Sequence, residues 1–158
     1  MLRRFAAAIT AAAGLTALFV PPASASPTVN WKPVNTNANW RCTPYTTHSA
    51  YLNVWGGVKF KSCIVMSNIP GTKAQAVLVV QNAANQDVHM EKGRVVFESS
   101  SGGDVWCASS NLAAGATAGC YAPSVDVVNC HITTAATTEL TLLGRKDTDN
   151  KGGEHVPC

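Results

Sequence analysis

Short runs of apolar residues alternate with turn residues along most of this chain, beginning near residue 51. The run 58–66 alternates between apolar and polar residues, which predicts a strand buried on one face. The run 74–81 is apolar at both parities, which predicts a central strand. Gly56 and Gly57 favour a hairpin between strands over 51–55 and 58–66, or a bulge in one long strand, because both can adopt a positive φ. One face of the run 58–66 is expected to hold Val58, Phe60, Ser62 and Ile64, and the other Lys59, Lys61 and Cys63.

The remaining apolar runs are equally short, and no segment has a helical stripe. About eight short strands at this spacing predict an all-β fold, an antiparallel β-sandwich or a barrel, and we favour the sandwich. The polar, glycine-rich segment 147–153 is expected to form a mobile loop before Cys158 fastens the end. Two further predicted strands, 88–91 and 94–99, lie on either side of Gly93. The others lie at 105–108, 116–121, 125–132 and 139–143.

Residues 1–25 have the features of a secretory signal peptide: two arginines, an apolar stretch and a small-residue cleavage site. We predict an extended N-terminal arm over 26–41 and a single domain over 42–158. Removal of 25 residues from 158 leaves 133, the usual size of one domain. The expected location is extracellular, and the alanine-rich leader is typical of a high-GC bacterium.

The charge balance narrows the class of partner. Without the two leader arginines, 10 basic residues face 9 acidic ones. A near-neutral chain gives no electrostatic footprint for nucleic acid or for an anionic membrane surface. No later apolar run reaches the roughly 20 residues that a membrane-spanning helix requires. We therefore expect a soluble monomer with an extracellular carbohydrate or protein as its ligand.

Six cysteines lie beyond the leader. In an exported chain, cysteines persist as disulfides rather than as metal ligands or nucleophiles. Six cysteines allow 15 pairings, and the sequence does not choose among them. We favour neighbours in order, with the second pair joining adjacent strands: Cys42 with Cys63, Cys107 with Cys120, and Cys130 with Cys158.

The segment from Trp106-Cys107 to Cys120-Tyr121 contains Leu112-Ala113-Ala114-Gly115. It resembles many immunoglobulin-like sandwiches, in which a turn of the form apolar-x-x-Gly precedes a central strand. The resemblance implies an immunoglobulin-like architecture. It carries over no functional residue, because Trp106 adjoins Cys107 instead of lying between two distant paired cysteines.

Catalytic and metal-binding motifs are lacking in the sequence. No Gly-x-Ser-x-Gly elbow surrounds the serines of the loop 99–103. The segment 147–152 begins like a calcium loop but has Lys151 at the fifth place and Cys158 at the twelfth, where ligands are required. We expect no metal, no cofactor and no enzymatic activity. None of the histidines has zinc-ligand spacing: His48, His89, His131 and His155.

Aromatic residues are concentrated at the start of the domain, and exposed indole or phenol rings are a common platform for sugar rings. Strand alternation would place Tyr51 and Trp55 on one face. We therefore predict a non-enzymatic binding protein for carbohydrate or cell envelope. The alternatives are a protease inhibitor that presents the disulfide-braced loop 107–120, and a small hydrolase built from converging acids or a histidine. The candidate ligand-binding residues are Trp40, Tyr45, Tyr51 and Trp55.

Overall fold

A computed structural model describes residues 26–53, 56–67, 73–98, 103–126 and 133–155. Within these ranges the chain forms strands and one 3₁₀ turn (Ser49–Tyr51) and contains no α-helix. The predicted signal peptide, Trp55 and the predicted pair Cys130 and Cys158 lie outside the described residues. The strands are β1 (Thr28–Val29), β2 (Trp40–Cys42), β3 (Thr46–Thr47), β4 (Val58–Met66), β5 (Lys73–Asn82), β6 (Val88–Met90), β7 (Lys92–Phe97), β8 (Val105–Cys107), β9 (Ser110–Leu112), β10 (Thr117–Tyr121), β11 (Val125–Asp126), β12 (Thr133–Leu142) and β13 (Arg145–His155).

These strands form two large sheets and one small one. The five-stranded sheet has the order β1-β8-β7-β12-β13. The six-stranded sheet has the order β10-β5-β4-β2, with β3 also paired to β4 and β11 to β5. Strands β6 and β9 form a separate pair. All pairings are antiparallel except that of β1 with β8.

The inner faces of the two large sheets enclose one apolar core, so the fold is all-β and sandwich-like. Burial of these side chains supplies the main driving force for folding. Fully buried members from the six-stranded sheet include Phe60, Ile64 and Leu78, and those from the five-stranded sheet include Phe97 and Leu140.

The alternating run 58–66 is confirmed as β4, with the two faces as predicted. Phe60 belongs to the core between the sheets, whereas Cys63 lies in a second apolar cluster on the outer face. The run 74–81 is confirmed as the central strand β5, which pairs with β4 on one side and with β10 and β11 on the other. Both predictions depended only on local periodicity.

The N-terminal arm is paired to both large sheets. Thr28 and Val29 lie beside Trp106 and Cys107 in β8. Lys32 then forms a two-hydrogen-bond bridge with Gly119 in β10. The arm thus crosses from the edge of one sheet to the edge of the other.

The predicted strand over 51–55 is wrong where the structure describes it, because the chain forms the 3₁₀ turn Ser49–Tyr51 there. The imidazole Nδ1 of His48 accepts a hydrogen bond from Ala50 N, at 3.1 Å, and so caps this turn. Gly56 and Gly57 have φ of +78° and +56°, as the turn signal required. The first arm of the hairpin is instead β3, which pairs with β4.

The predicted mobile loop over 147–153 is also wrong, because these residues belong to β13. This strand pairs with β12 from Thr133↔His155 to Leu142↔Arg145. It is an edge strand, so polar residues are compatible with its position. Its low hydrophobicity concealed it from a reading based on apolar alternation.

Two of the predicted disulfides are confirmed, Cys42–Cys63 and Cys107–Cys120. The first joins directly opposite residues of β2 and β4. The second was predicted to join adjacent strands, and this part of the prediction is wrong. It connects β8 of one sheet to β10 of the other. It therefore fastens the two sheets together.

Candidate functional site

The four aromatic residues predicted to bind ligand do not form one surface. Tyr51 is only 7% exposed and packs in the core between the sheets, so its ring offers no face for stacking. Trp55 lies outside the described residues. Trp40 and Tyr45 lie on the outer face of the six-stranded sheet: Trp40 is opposite Val65 of β4, and the Tyr45 ring lies under Lys61.

Trp40 and Tyr45 each have a partner within the protein. Trp40 makes an edge-to-face contact with Tyr121, with ring centroids 6.2 Å apart, and packs on the outer cluster around Cys63. The ammonium group of Lys61 lies 4.3 Å from the ring centroid of Tyr45. Burial raises the pKa of Tyr45 and lowers the pKa of Lys61. Both rings therefore pack against side chains of the protein itself.

The carboxylates of the calcium-like segment are occupied by protein donors. Asp147 accepts hydrogen bonds from the backbone N–H and the hydroxyl of Ser49. Burial alone would raise the pKa of Asp147, but these hydrogen bonds and the positive charge of Arg145 lower it below its ordinary value. Because His48 Nδ1 accepts from Ala50, its Nε2 donates to the carbonyl of Leu140, at 3.0 Å. This group therefore fixes the 3₁₀ turn against β12 and β13.

Asp149 performs a similar role two residues further along β13. Its carboxylate accepts hydrogen bonds from the Thr43 hydroxyl and from Ser62 N, the latter at 2.8 Å. Ser62 is fully buried, and its hydroxyl lies 2.6 Å from that of Thr138. The two aspartates thus form a polar seam that closes one edge of the fold, and we assign them a structural role.

A hydrogen-bonded relay of three exposed residues lies near the small sheet. Nδ1 of His89 is 2.7 Å from Oδ1 of Asn111, which lies directly opposite on β9. Nε2 of His89 is 3.2 Å from Oγ of Ser109. With Nδ1 protonated, Nε2 is free to accept the serine proton, which is the arrangement of a nucleophilic triad. All three side chains are open to solvent, so water competes for each hydrogen bond.

A concavity of about 220 Å³ lies on the outer face of the five-stranded sheet. We call it the Trp106 groove. Three strands and their cross-strand register place its walls: Arg94 on β7 lies opposite Trp106 on β8 and opposite Glu139 on β12. Its lining residues are Lys92, Gly93, Arg94, Trp106, Glu139, Thr141 and Lys146.

Cations surround the indole ring of this groove. The ammonium group of Lys92 lies 3.8 Å from the Trp106 ring centroid, and the guanidinium carbon of Arg94 lies 5.2 Å from it. Arg94 also forms an ion pair with Asp104, and Lys146 lies 3.4 Å from Glu139. The groove therefore combines an aromatic surface with donors and one acceptor carboxylate.

The inner side of the same strands explains why the groove is rigid. Gly93 separates Lys92 from Arg94 and points inward, where a Cβ atom would lie 2.8 Å from Cys107 Sγ. The Cys107–Cys120 disulfide therefore packs directly beneath the groove and ties its strand β8 to the opposite sheet. A site held on paired strands keeps its geometry better than one on a loop.

Sequence reasoning did not find this groove. Lys92 and Arg94 form a local signal, since two cations at alternate positions share one face of a strand. Trp106 and Glu139 join them only through cross-strand register, which periodicity does not give.

The braced loop 107–120, which was expected to present a peptide to a protease, is largely paired within the fold. Residues Ser110–Leu112 form β9 and pair with β6. The turn around Ala113 and Gly115 is exposed, and Asp87 accepts a hydrogen bond from Ala114 N there.

No protein-family model, curated protein or solved structure matches this chain. Among the residues that the structure describes, no helix is long and apolar enough to cross a membrane. Over the same residues, no three His, Cys, Asp or Glu side chains are grouped as metal ligands.

Proposed function

We propose that this protein is a secreted, monomeric and non-enzymatic binding protein that holds a carbohydrate in the Trp106 groove. The proposed architecture is an immunoglobulin-like sandwich with a third disulfide between Cys130 and Cys158. The observation that carries the proposal is the concavity in which an indole ring lies among hydrogen-bonding side chains. Sugar rings are bound in this way, through the apolar ring face on an aromatic residue and through hydroxyl groups on polar neighbours.

The two disulfides favour an extracellular setting, where such bonds persist. The location of the groove on paired strands favours binding without large rearrangement. We place the proposed site on the five-stranded sheet and not at Trp40 and Tyr45, because Trp106 lines a concavity.

The test is retention of the purified protein on a panel of cell-wall and plant polysaccharides, with tryptophan fluorescence as a second readout. We expect binding to at least one polymer and a loss of about ten-fold or more in affinity for Trp106→Leu, since a central aromatic contact commonly contributes this much. Trp40→Leu is the matched control, because it removes an indole from the other sheet. Retention by no polymer, or equal losses for both variants, would refute the proposal.

A hydrolase is a second candidate, favoured by the relay of Ser109, His89 and Asn111. An activated serine would react with a fluorophosphonate probe, and Ser109→Ala would abolish labelling while Ser110→Ala would not. Absence of labelling at pH 7 to 8 would exclude this candidate.

A further inference from the structure

We infer that the sugar bound in the Trp106 groove carries an oxyanion, a carboxylate or a sulfate, which Arg94 and Lys92 hold beside the indole ring. This inference rests on the proposed function and names the ligand class of the same site.

The charges of the lining residues are unequal. Three cations line the groove, against one lining carboxylate, from Glu139; Arg94 is paired with Asp104 and Lys146 with Glu139, so the uncompensated charge is that of Lys92. Outside these four lining residues, the chain beyond the predicted leader is nearly neutral, with 7 basic and 8 acidic residues. The positive character is therefore local to the groove, and it favours a negatively charged ligand.

Arg94 has a donor that the protein does not satisfy. Its Nη2 is paired with Asp104, but its Nε is buried and has no hydrogen-bond partner among the described residues. Buried donors nearly always have a partner, so an unpaired one in a groove indicates a position for a ligand acceptor. The N–H of a guanidinium gives an oxyanion a charged hydrogen bond, which is stronger than the bond that it gives to a neutral hydroxyl.

Lys92 is the second ligand cation. It lies over the ring of Trp106 and is not among the ion pairs of the described residues, in contrast to Lys146, which lies beside Glu139. Lys92 is two residues from Arg94 on the same face of β7. An oxyanion on a sugar held beside the indole of Trp106 can therefore reach both cations.

The experiment uses two polymers with one backbone. Polygalacturonate carries free carboxylates, and highly methyl-esterified pectin carries the same sugar rings with most carboxylates neutralised. We expect the acidic polymer to bind about ten-fold or more tightly than the ester, because charged hydrogen bonds are stronger than neutral ones. Dextran sulfate against dextran provides the same comparison for sulfate and separates the two sources of oxyanion.

Variants locate the effect. Arg94→Gln should remove most of the preference for the acidic polymer, and Arg94→Lys should remove much of it, because lysine keeps the charge but lacks Nε and the planar fork. Lys59→Gln, on the other large sheet, is the control with the same change in charge. Glu139→Gln should act in the opposite direction and raise the affinity for the acidic polymer several-fold, because it removes the only carboxylate lining the groove.

The outcomes separate this inference from the proposed function. Equal binding of the neutral and charged members of both pairs would overturn the inference and leave the carbohydrate-binding proposal intact. Equal weakening by Arg94→Gln and Lys59→Gln would also overturn it, because binding would then follow total charge. Binding to no polymer would refute both. Weakening of the acidic complex by salt, from about 50 to about 500 mM, is expected from screening and should spare any neutral complex.

Discussion

Substitution of Gly93 by alanine tests the contact that supports the groove from below. A Cβ atom at this position would lie 2.8 Å from Cys107 Sγ, 3.0 Å from Cys107 Cβ and 3.1 Å from Leu78 Cδ2. The first of these distances is shorter than a carbon and a sulfur tolerate without movement. The disulfide fixes Cys107, and Leu78 is packed in the core between the two sheets. Neither neighbour can therefore move easily to accommodate the added methyl group.

The expected loss of stability is about 1 to 3 kcal/mol, the usual result of forcing an extra methyl group into a packed core. The backbone of Gly93 does not have a positive φ, so conformational strain adds nothing. Alanine would by itself favour the folded state by about 0.4 to 1 kcal/mol through the unfolded chain. A net loss therefore equals the cost of steric overlap less this gain.

The assay is denaturant unfolding followed by tryptophan fluorescence, in the wild-type background and in a Cys107→Ala/Cys120→Ala background. Loss of this disulfide, whose cysteines are 13 residues apart, should lower stability by about 3 kcal/mol. It also removes the sulfur nearest the new methyl group. We therefore expect Gly93→Ala to destabilise the protein without the disulfide by about 1 kcal/mol less than it destabilises the wild type. This difference is the coupling energy between the two contacting sites.

Gly152→Ala is the control, because its Cβ would meet only Asn150 Oδ1, at 3.5 Å. We expect a change within about 0.5 kcal/mol in either background. The reasoning fails if Gly93→Ala is as stable as the wild type, or if its penalty is the same with and without the disulfide.

The polar seam on β13 gives two further predictions. The pKa of Asp147 is lower in the folded protein than its ordinary value, so the carboxylate stabilises the fold fully above about pH 4 and less as the pH falls through the folded pKa. The urea midpoint of Asp147→Asn should therefore decline less between pH 5 and pH 2 than that of the wild type, and parallel declines would contradict this. Asp149→Ala should lower stability by about 2 to 4 kcal/mol, because it removes a charged acceptor from buried Ser62 N–H. Asp126→Ala breaks only an exposed ion pair with Lys73 and should change stability by less than about 1 kcal/mol; a similar loss in both variants would count against the seam.

Local periodicity predicted the elements whose two faces meet different surroundings. It located β4 and β5 and assigned Phe60 and Cys63 to opposite faces. The order of the cysteines also predicted two disulfides, since neighbours in the chain were near in space. A strand that is polar on both faces leaves no such trace, and β13 was missed for that reason.

The candidate site depended on contacts that are distant in the chain. Aromatic density near residue 50 favoured Tyr51, which the 3₁₀ turn directs into the core. Arg94 meets Trp106 and Glu139 only because β7 lies between β8 and β12. Composition and alternation by themselves determined an all-β chain with paired cysteines, because each residue's preference for a pleated strand is local. The order and register of the strands decided which side chains share a groove, because cross-strand neighbours are set by the packing of the whole chain.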